Sequence, residues 1–233
     1  MRKRALACAI GVAGALWLVP SASADTATIG AAAPSTGVLF GGAADFAVIQ
    51  KTTDPTSPSF VVPPVPVGAG PWSVTSWGAL GGFGDGSASL EIWRPTSTAG
   101  EFRLIAIGPQ QPFPTGVLTT HPVSVPVLPG DHLGVVSGPD SDFSPSYSSA
   151  LIGDEAIWPN GTPPSPVVGQ TVGASSSDFP THGGALDARA NVQATLTATP
   201  AAAATAKKKC KKKKHKRSAE SAKKKKCKKH KKK

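Results

Sequence analysis

Glycine and proline punctuate this chain too densely for long helices. There are 25 Gly and 23 Pro among 233 residues, about a fifth of the chain against a usual share of roughly 12%. Glycine leaves an element interior loose, and proline fixes φ and removes a backbone donor. A helical bundle is excluded, and apolar residues must pack in short runs. Aromatics make up 6%, enough for a modest core at this length. Beyond residue 24 no apolar run reaches the roughly 18 residues that mark a spanning helix.

The runs that do occur alternate with period two. Asp45-Phe-Ala-Val-Ile-Gln50 reads as one strand, and Phe60-Val-Val before Pro63-Pro64 as an edge strand. Trp72 to Trp77 and Ser87 to Arg94 flank Gly81-Gly-Phe-Gly-Asp-Gly86, which reads as a hairpin-like pair turning at Asp85-Gly86. Glu101 to Ile107, Val117 to Thr120, Val123 to Val127 and Leu133 to Val136 continue the series, with a turn at Pro129-Gly130-Asp131. From Leu186 to Leu196 every even position is apolar, which predicts one half-buried strand whose polar face carries Asp187, Arg189 and Asn191. The expected fold is all-β, an antiparallel β-sandwich or jelly roll, followed by a disordered polybasic tail.

The net charge of +11 hides three territories. Residues 207–233 hold 17 Lys and Arg217 against Glu220, net +17. Arg2, Lys3 and Arg4 add +3, and the body from Asp25 to Ala206 sets four bases against thirteen acids, net −9. The basic N-terminus, the apolar stretch Ala5–Val19, and Ala22-Ser23-Ala24 before Asp25 have the order of a secretory signal, with cleavage between Ala24 and Asp25. The stretch is short for a retained span, so no transmembrane segment is expected after cleavage. Cys8 leaves with the signal, and the body has no cysteine, so its fold relies on burial rather than crosslinks. The expected division is a signal at 1–24, an N-terminal linker at 25–36, a β-sandwich at 37–198, a linker at 199–206 and a disordered tail at 207–233.

Phe46-Ala-Val-Ile-Gln50, Val74-Thr-Ser-Trp77, Leu90-Glu-Ile-Trp-Arg-Pro95, Val123 to Gly134 and Ala190 to Leu196 occur in a recognisable order. Across roughly residues 36–198 they make the chain resemble an uncharacterised family of secreted actinobacterial β-sandwich proteins. The resemblance implies fold and export, and no activity. Relatives often continue into Asp-rich, calcium-binding-like repeats where this chain has lysines, so no calcium role carries over.

No chemistry is prominent in the body. It has no Gly-x-Ser-x-Gly elbow. His121, His132 and His182 are isolated near turns, and only the fold could bring one to Asp131 or Asp178 and a serine. Gly81–Gly86 opens a strand rather than a helix and so makes no phosphate cradle. Asp140-Ser-Asp142-Phe-Ser144 has the opening spacing of a calcium loop, but Pro145 and Leu151 stand where its glycine and bidentate acid belong, which leaves only a weak site on Asp140 and Asp142 with Asp154 as a third candidate. Asn160-Gly-Thr162 fits a glycosylation acceptor, though between two prolines it reads as a turn. No catalytic residue, metal or cofactor is assigned. Enzymatic activity is left open, with a non-catalytic module favoured.

Trp72, Trp77, Trp93 and Trp158 are weighed as packing residues, the favoured reading, or as a sugar-stacking face. Five residues separate Trp72 from Trp77, so an unbroken strand places them on opposite faces. Trp93 is the better surface candidate, and Trp93, Trp72 and Trp158 form the tentative ligand face.

The tail is a broken repeat of lysine blocks, each with one Cys and one His. Self-repulsion keeps such a run unfolded. Lys207, Lys211, Lys216, Arg217, Lys223, Lys228 and Lys233 represent its polyanion-binding surface. Export favours envelope polyanions or anionic lipid headgroups over nucleic acid in vivo; the tail against its own acidic body is a further possibility. Cys210, His215, Cys227 and His230 have the wrong spacing for a zinc finger, so a disulfide between Cys210 and Cys227, within one tail or between two, is expected instead. The functional expectation is an exported, non-catalytic module held at the cell envelope, extracytoplasmic, with its ligand unknown. A carbohydrate-binding or carbohydrate-active secreted protein is the alternative, with a glycan as partner.

Overall fold

The computed structural model describes residues 24–34, 39–40, 45–53, 55–56, 58–139, 141–148, 154–157, 167–173, 185–186 and 188–200. These residues belong to one compact unit. The signal residues Ala22, the whole Lys-rich tail with Cys210 and Cys227, and Trp158, His182, Asp140 and Asp178 lie outside them.

Every described element is a strand, as the sequence predicts. In chain order they are β1 (Thr26–Ala31), β2 (Leu39–Phe40), β3 (Ala47–Thr52), β4 (Ala69–Leu80), β5 (Gly86–Pro95), β6 (Phe102–Ile107), β7 (Gln111–Phe113) and β8 (Leu118–Val127). They continue as β9 (His132–Ser137), β10 (Ser146–Ser148), β11 (Glu155–Ile157), β12 (Thr171–Val172), β13 (Ala185–Leu186), β14 (Ala188–Ala190) and β15 (Val192–Pro200). A four-stranded sheet runs β1-β15-β4-β8, and an eight-stranded one runs β12-β6-β5-β9-β3-β11-β13 with β7 paired to β5. A small third sheet runs β14-β10-β2. All strand pairs are antiparallel, as in β1 on β15 and β5 on β9. Ile29, Trp72, Val74, Trp77 and Leu196 of the four-stranded sheet share one core with Val48, Leu90, Ile92 and Val135 of the large one. The architecture is an antiparallel β-sandwich.

Several local expectations need correction. Residues 25–36 are not a linker, because β1 pairs with β15 from Thr26↔Thr197 to Ala31↔Val192 and buries Ile29. At the other end β15 reaches Pro200, two residues into the expected linker. A chain beginning at residue 37 therefore loses a strand and exposes the edge of β15. We expect it to aggregate or to unfold at clearly lower urea than a chain beginning at Asp25; equal midpoints would remove β1 from the fold.

Residues 60–62 form no strand, only a bridge from Val61 to His132, while Phe60 and Val62 fill the core. β4 and β5 are not a hairpin, for they lie in opposite sheets. The glycines between them serve close approach instead. A Cβ on Gly82 would lie 2.4 Å from Asp142 O, and one on Gly86 would lie 2.6 Å from Phe143 N. Residues 141–144 thus pack directly on this backbone. The turn at Pro129-Gly130-Asp131 forms, with Gly130 at φ 88°, but it also joins the two sheets. Pro122 and Pro126 do not divide β8, because it is an edge strand.

The long alternation at 186–196 is broken rather than continuous. β14 pairs with β10, a bend falls at Asn191, and β15 pairs with β1 and β4. Arg189 and Asn191 are buried instead of facing water. Alternation reports which residues share a side, but the buried amide of Asn191 redirects the chain. Its Oδ1 accepts from Ala33 N at 3.0 Å and Leu80 N at 3.1 Å, and its Nδ2 donates to Leu80 O at 2.8 Å and Ser144 O at 2.9 Å.

Candidate functional site

The tryptophans are the first correction that bears on function. Trp72 is 2% exposed and Trp93 is 0% exposed, so neither offers a stacking surface. Trp72 and Trp77 point the same way because of a bulge. Val74 faces Leu196 and Ser76 faces Thr195, which leaves Thr75 unpaired and shifts the inward phase by one residue. Trp72 Nε1 donates to Pro63 O at 3.1 Å. Of the tentative ligand face, only Trp158 is untouched by this finding, and it lies outside the described residues.

Trp93 instead covers an acid. Leu90 and Ile92 of β5 face the main core, which turns Glu91 and Trp93 to the other side of the large sheet. There Trp93 joins Ile49, Phe102, Leu104 and Val172 in a second apolar cluster. The indole lies against Gly134 of β9, where a Cβ would come within 2.8 Å of Trp93 Cδ1 and Nε1. Trp93 Nε1 donates to Glu91 Oε2 at 2.9 Å. Glu91 is 0% exposed, and its Oε1 has no hydrogen-bond partner among the described residues. Burial pushes this carboxyl up to about 8, with the Trp93 hydrogen bond pulling only partly the other way. Near neutral pH it is mainly the uncharged acid.

The neighbouring polar groups are committed to the fold. His132, opposite Trp93 on β9, places Nδ1 2.8 Å from Gln50 O. A carbonyl only accepts, so Nδ1 carries the proton. Burial pushes this imidazole below its ordinary value, against the effect of that hydrogen bond. Arg94 grips Asp131 with Nε at 2.7 Å and Nη2 at 2.9 Å, and Asp131 Oδ2 accepts from Leu128 N at 2.8 Å. Asp131, a sequence candidate for orienting a catalytic histidine, is thus a turn brace. Asp154, the third calcium candidate, is buried with Oδ2 2.6 Å from Arg189 Nε. His121 Nε2 donates to Pro112 O at 2.9 Å, and its ring packs against Phe113 and Trp77.

Glu91 is sealed inside the packing, and His132, only partly buried, is held by Gln50 O, so neither is presented at an opening as a proton donor or acceptor. Among the described residues no group of three or more His, Cys, Asp or Glu could hold a metal ion. Sequence reasoning took Trp93 for a surface candidate and did not single out Glu91. Its signal was the run from Ala88 to Trp93, apolar on both sides of the acid, which marks a central strand covered on both faces.

Comparison with protein-family models, curated proteins and solved structures finds no match for this chain. The resemblance to a secreted actinobacterial family therefore rests on its motifs alone. No helix among the described residues is long and apolar enough to cross a membrane.

Proposed function

We propose that this chain is an exported, non-catalytic β-sandwich module retained at the cell envelope by its polybasic tail, outside the cytoplasm. The observation that carries the reading is the segregation of charge, +17 on residues 207–233 against −9 on the body. Inside the body, Arg94 and Arg189 are paired with Asp131 and Asp154, and the four bases of the body are outnumbered by its thirteen acids. Attraction to a polyanion thus falls to the tail, which meets envelope polyanions or anionic headgroups as a run of point charges. Cys210 and Cys227 crosslink within one tail or between two. Cleavage after Ala24 is compatible with the fold: Asp25 O accepts from Ala198 N at 2.8 Å and β1 starts at Thr26, so the cut leaves the four-stranded sheet whole.

The test is salt release. Exposed charges are screened within about 8 Å at physiological ionic strength and about 3 Å at 1 M. The full chain should bind anionic envelope fractions at low salt and elute at high salt without detergent. A chain ending at Pro200, which keeps all of β15, should stay in solution. Equal binding by both, released from neither by salt, would exclude the tail as the anchor. A carbohydrate partner built on Trp72 and Trp93 loses support, since both are core residues.

A further inference from the structure

The four-stranded sheet is free of formal charge. The strands β1, β4, β8 and β15 contain no Asp, Glu, Lys or Arg, although the large sheet carries Lys51, Glu91, Arg94, Arg103 and Glu155. Their outward positions are instead hydroxyl-rich. Ala27, Ile29 and Ala31 face inward from β1, and Val192, Ala194, Leu196 and Ala198 from β15, which turns Thr28, Gln193 and Thr195 to the outer face. Thr28 is register partner to Thr195, and Thr195 to Ser76; Gln193 is partner to Gly78, and Gly78 to Thr120. These two adjacent rows line one shallow, half-open trough with a cavity volume of about 70 Å³.

Gly78 lies in the trough and lets β8 approach closely. A Cβ there would meet Thr119 O at 2.6 Å and Thr120 Oγ1 at 2.8 Å, so a larger residue would push Thr120 and its strand away. None of the side chains of Thr28, Ser76, Thr120, Gln193 and Thr195 has a hydrogen-bonded partner among the described residues. By contrast Thr75, just beside them, is tied to Thr195 O at 3.3 Å and Thr197 Oγ1 at 3.1 Å. Four hydroxyls and an amide, able both to donate and to accept, are thus left facing one hollow.

We propose that this trough binds a neutral polysaccharide, the chain lying across the strands with its hydroxyls bonded to the groups that line the hollow. The chemistry of the face selects that ligand. An ion would shed water against a wall with no countercharge. A nucleic acid would find no cation for its phosphates. A protein partner would find neither the aromatic nor the arginine anchors that carry most interfaces. A polyol matches groups that donate and accept without charge. The hollow, about 70 Å³, is far below the roughly 300–1,000 Å³ of pockets that enclose a whole small molecule, so a ligand lies across the face rather than inside it. This site is independent of the tail, and the two are separable by salt.

The experiment uses the full-length protein at about 1 M NaCl, where the Debye length is about 3 Å and attraction through the tail is suppressed. Hydroxyethylcellulose, laminarin, dextran and chitin oligosaccharides are titrated in turn by isothermal calorimetry. At least one should bind. Thr28→Val with Thr195→Val and Gln193→Ala should weaken that binding roughly ten-fold or more, as expected when hydrogen bonds to hydroxyls are lost. Ser76→Ala alone, the deletion of one exposed-side oxygen, should weaken it in the same direction even if the triple variant melts early. Ser124→Ala, on β8 outside the trough, should leave it unchanged. The proposal is overturned if none of the polymers binds, or if binding survives both trough variants. It is overturned equally if sedimentation shows the face joining two copies of the chain, with the trough variants releasing monomers. Failure here leaves the salt-release result standing, and failure of salt release leaves this one standing.

Discussion

Asn191→Ala should unfold most of the sandwich at temperatures where the parent is stable. Four buried backbone groups, Ala33 N, Leu80 N, Leu80 O and Ser144 O, lose their partner at once. An orphaned buried group costs about 1–3 kcal/mol, so the total is roughly 4 kcal/mol or more, against a whole-domain stability of about 5–15 kcal/mol. Asn191→Asp should be no better, since a carboxylate would face the carbonyls of Leu80 and Ser144 without a proton to offer. Gln193→Ala, two residues along and half-buried on the outer face, should move the urea midpoint little, within about 0.5 kcal/mol. If Asn191→Ala and Gln193→Ala proved equally mild, the amide would not be holding the sheets in place.

The second large effect depends on pH. Glu91 carries a proton in the folded state up to about 8, compared with an ordinary value of 4.5. Between those limits the folded chain holds a proton that the unfolded chain releases, so stability falls as pH rises through the window. The contribution is complete below about 4.5 and exhausted above about 8. At roughly 1.36 kcal/mol per pKa unit the loss is about 3–5 kcal/mol. Glu91→Gln keeps an acceptor for Trp93 Nε1 and has nothing to ionise. Urea unfolding at pH 5 and pH 9 should show the variant close to the parent at the lower value and more stable by several kcal/mol at the higher. Parallel behaviour at both would mean that the carboxyl reaches water or a countercharge after all.

The two positions differ in how far the sequence announced them. Glu91 sits in a run apolar on both sides, a pattern that does belong to a central strand, but a single acid beside a tryptophan reads equally well as a solvated edge. Which reading holds depends on whether another layer covers that face, and the covering residues Ile49, Phe102 and Val172 come from three other strands. Asn191 gave no sign at all, because it occupies a polar position in a regular alternation. Its role comes from Ala33, Leu80 and Ser144, which are 158, 111 and 47 residues away in the chain.

What the sequence by itself determined is the class of the fold and the partition of charge. Gly and Pro set the spacing of turns, period-two runs between them admit only strands, and an even sign along a segment is a property of composition. Pairing is another matter. The Gly-rich stretch before β5 looks like a hairpin, yet β4 and β5 belong to opposite sheets, and residues 141–144 occupy the space its glycines leave. The faces of Trp72 and Trp77 follow from an unpaired Thr75, a bulge that local alternation does not display. The charge-free trough likewise exists only because β1 and β15 close beside β4 and β8, bringing Thr28 next to Thr195 and Gly78 next to Thr120. Period and composition are local, and a strand carries them in its own residues. Register, burial and the company a side chain keeps are set by contacts distant in sequence, and the tertiary structure decided those.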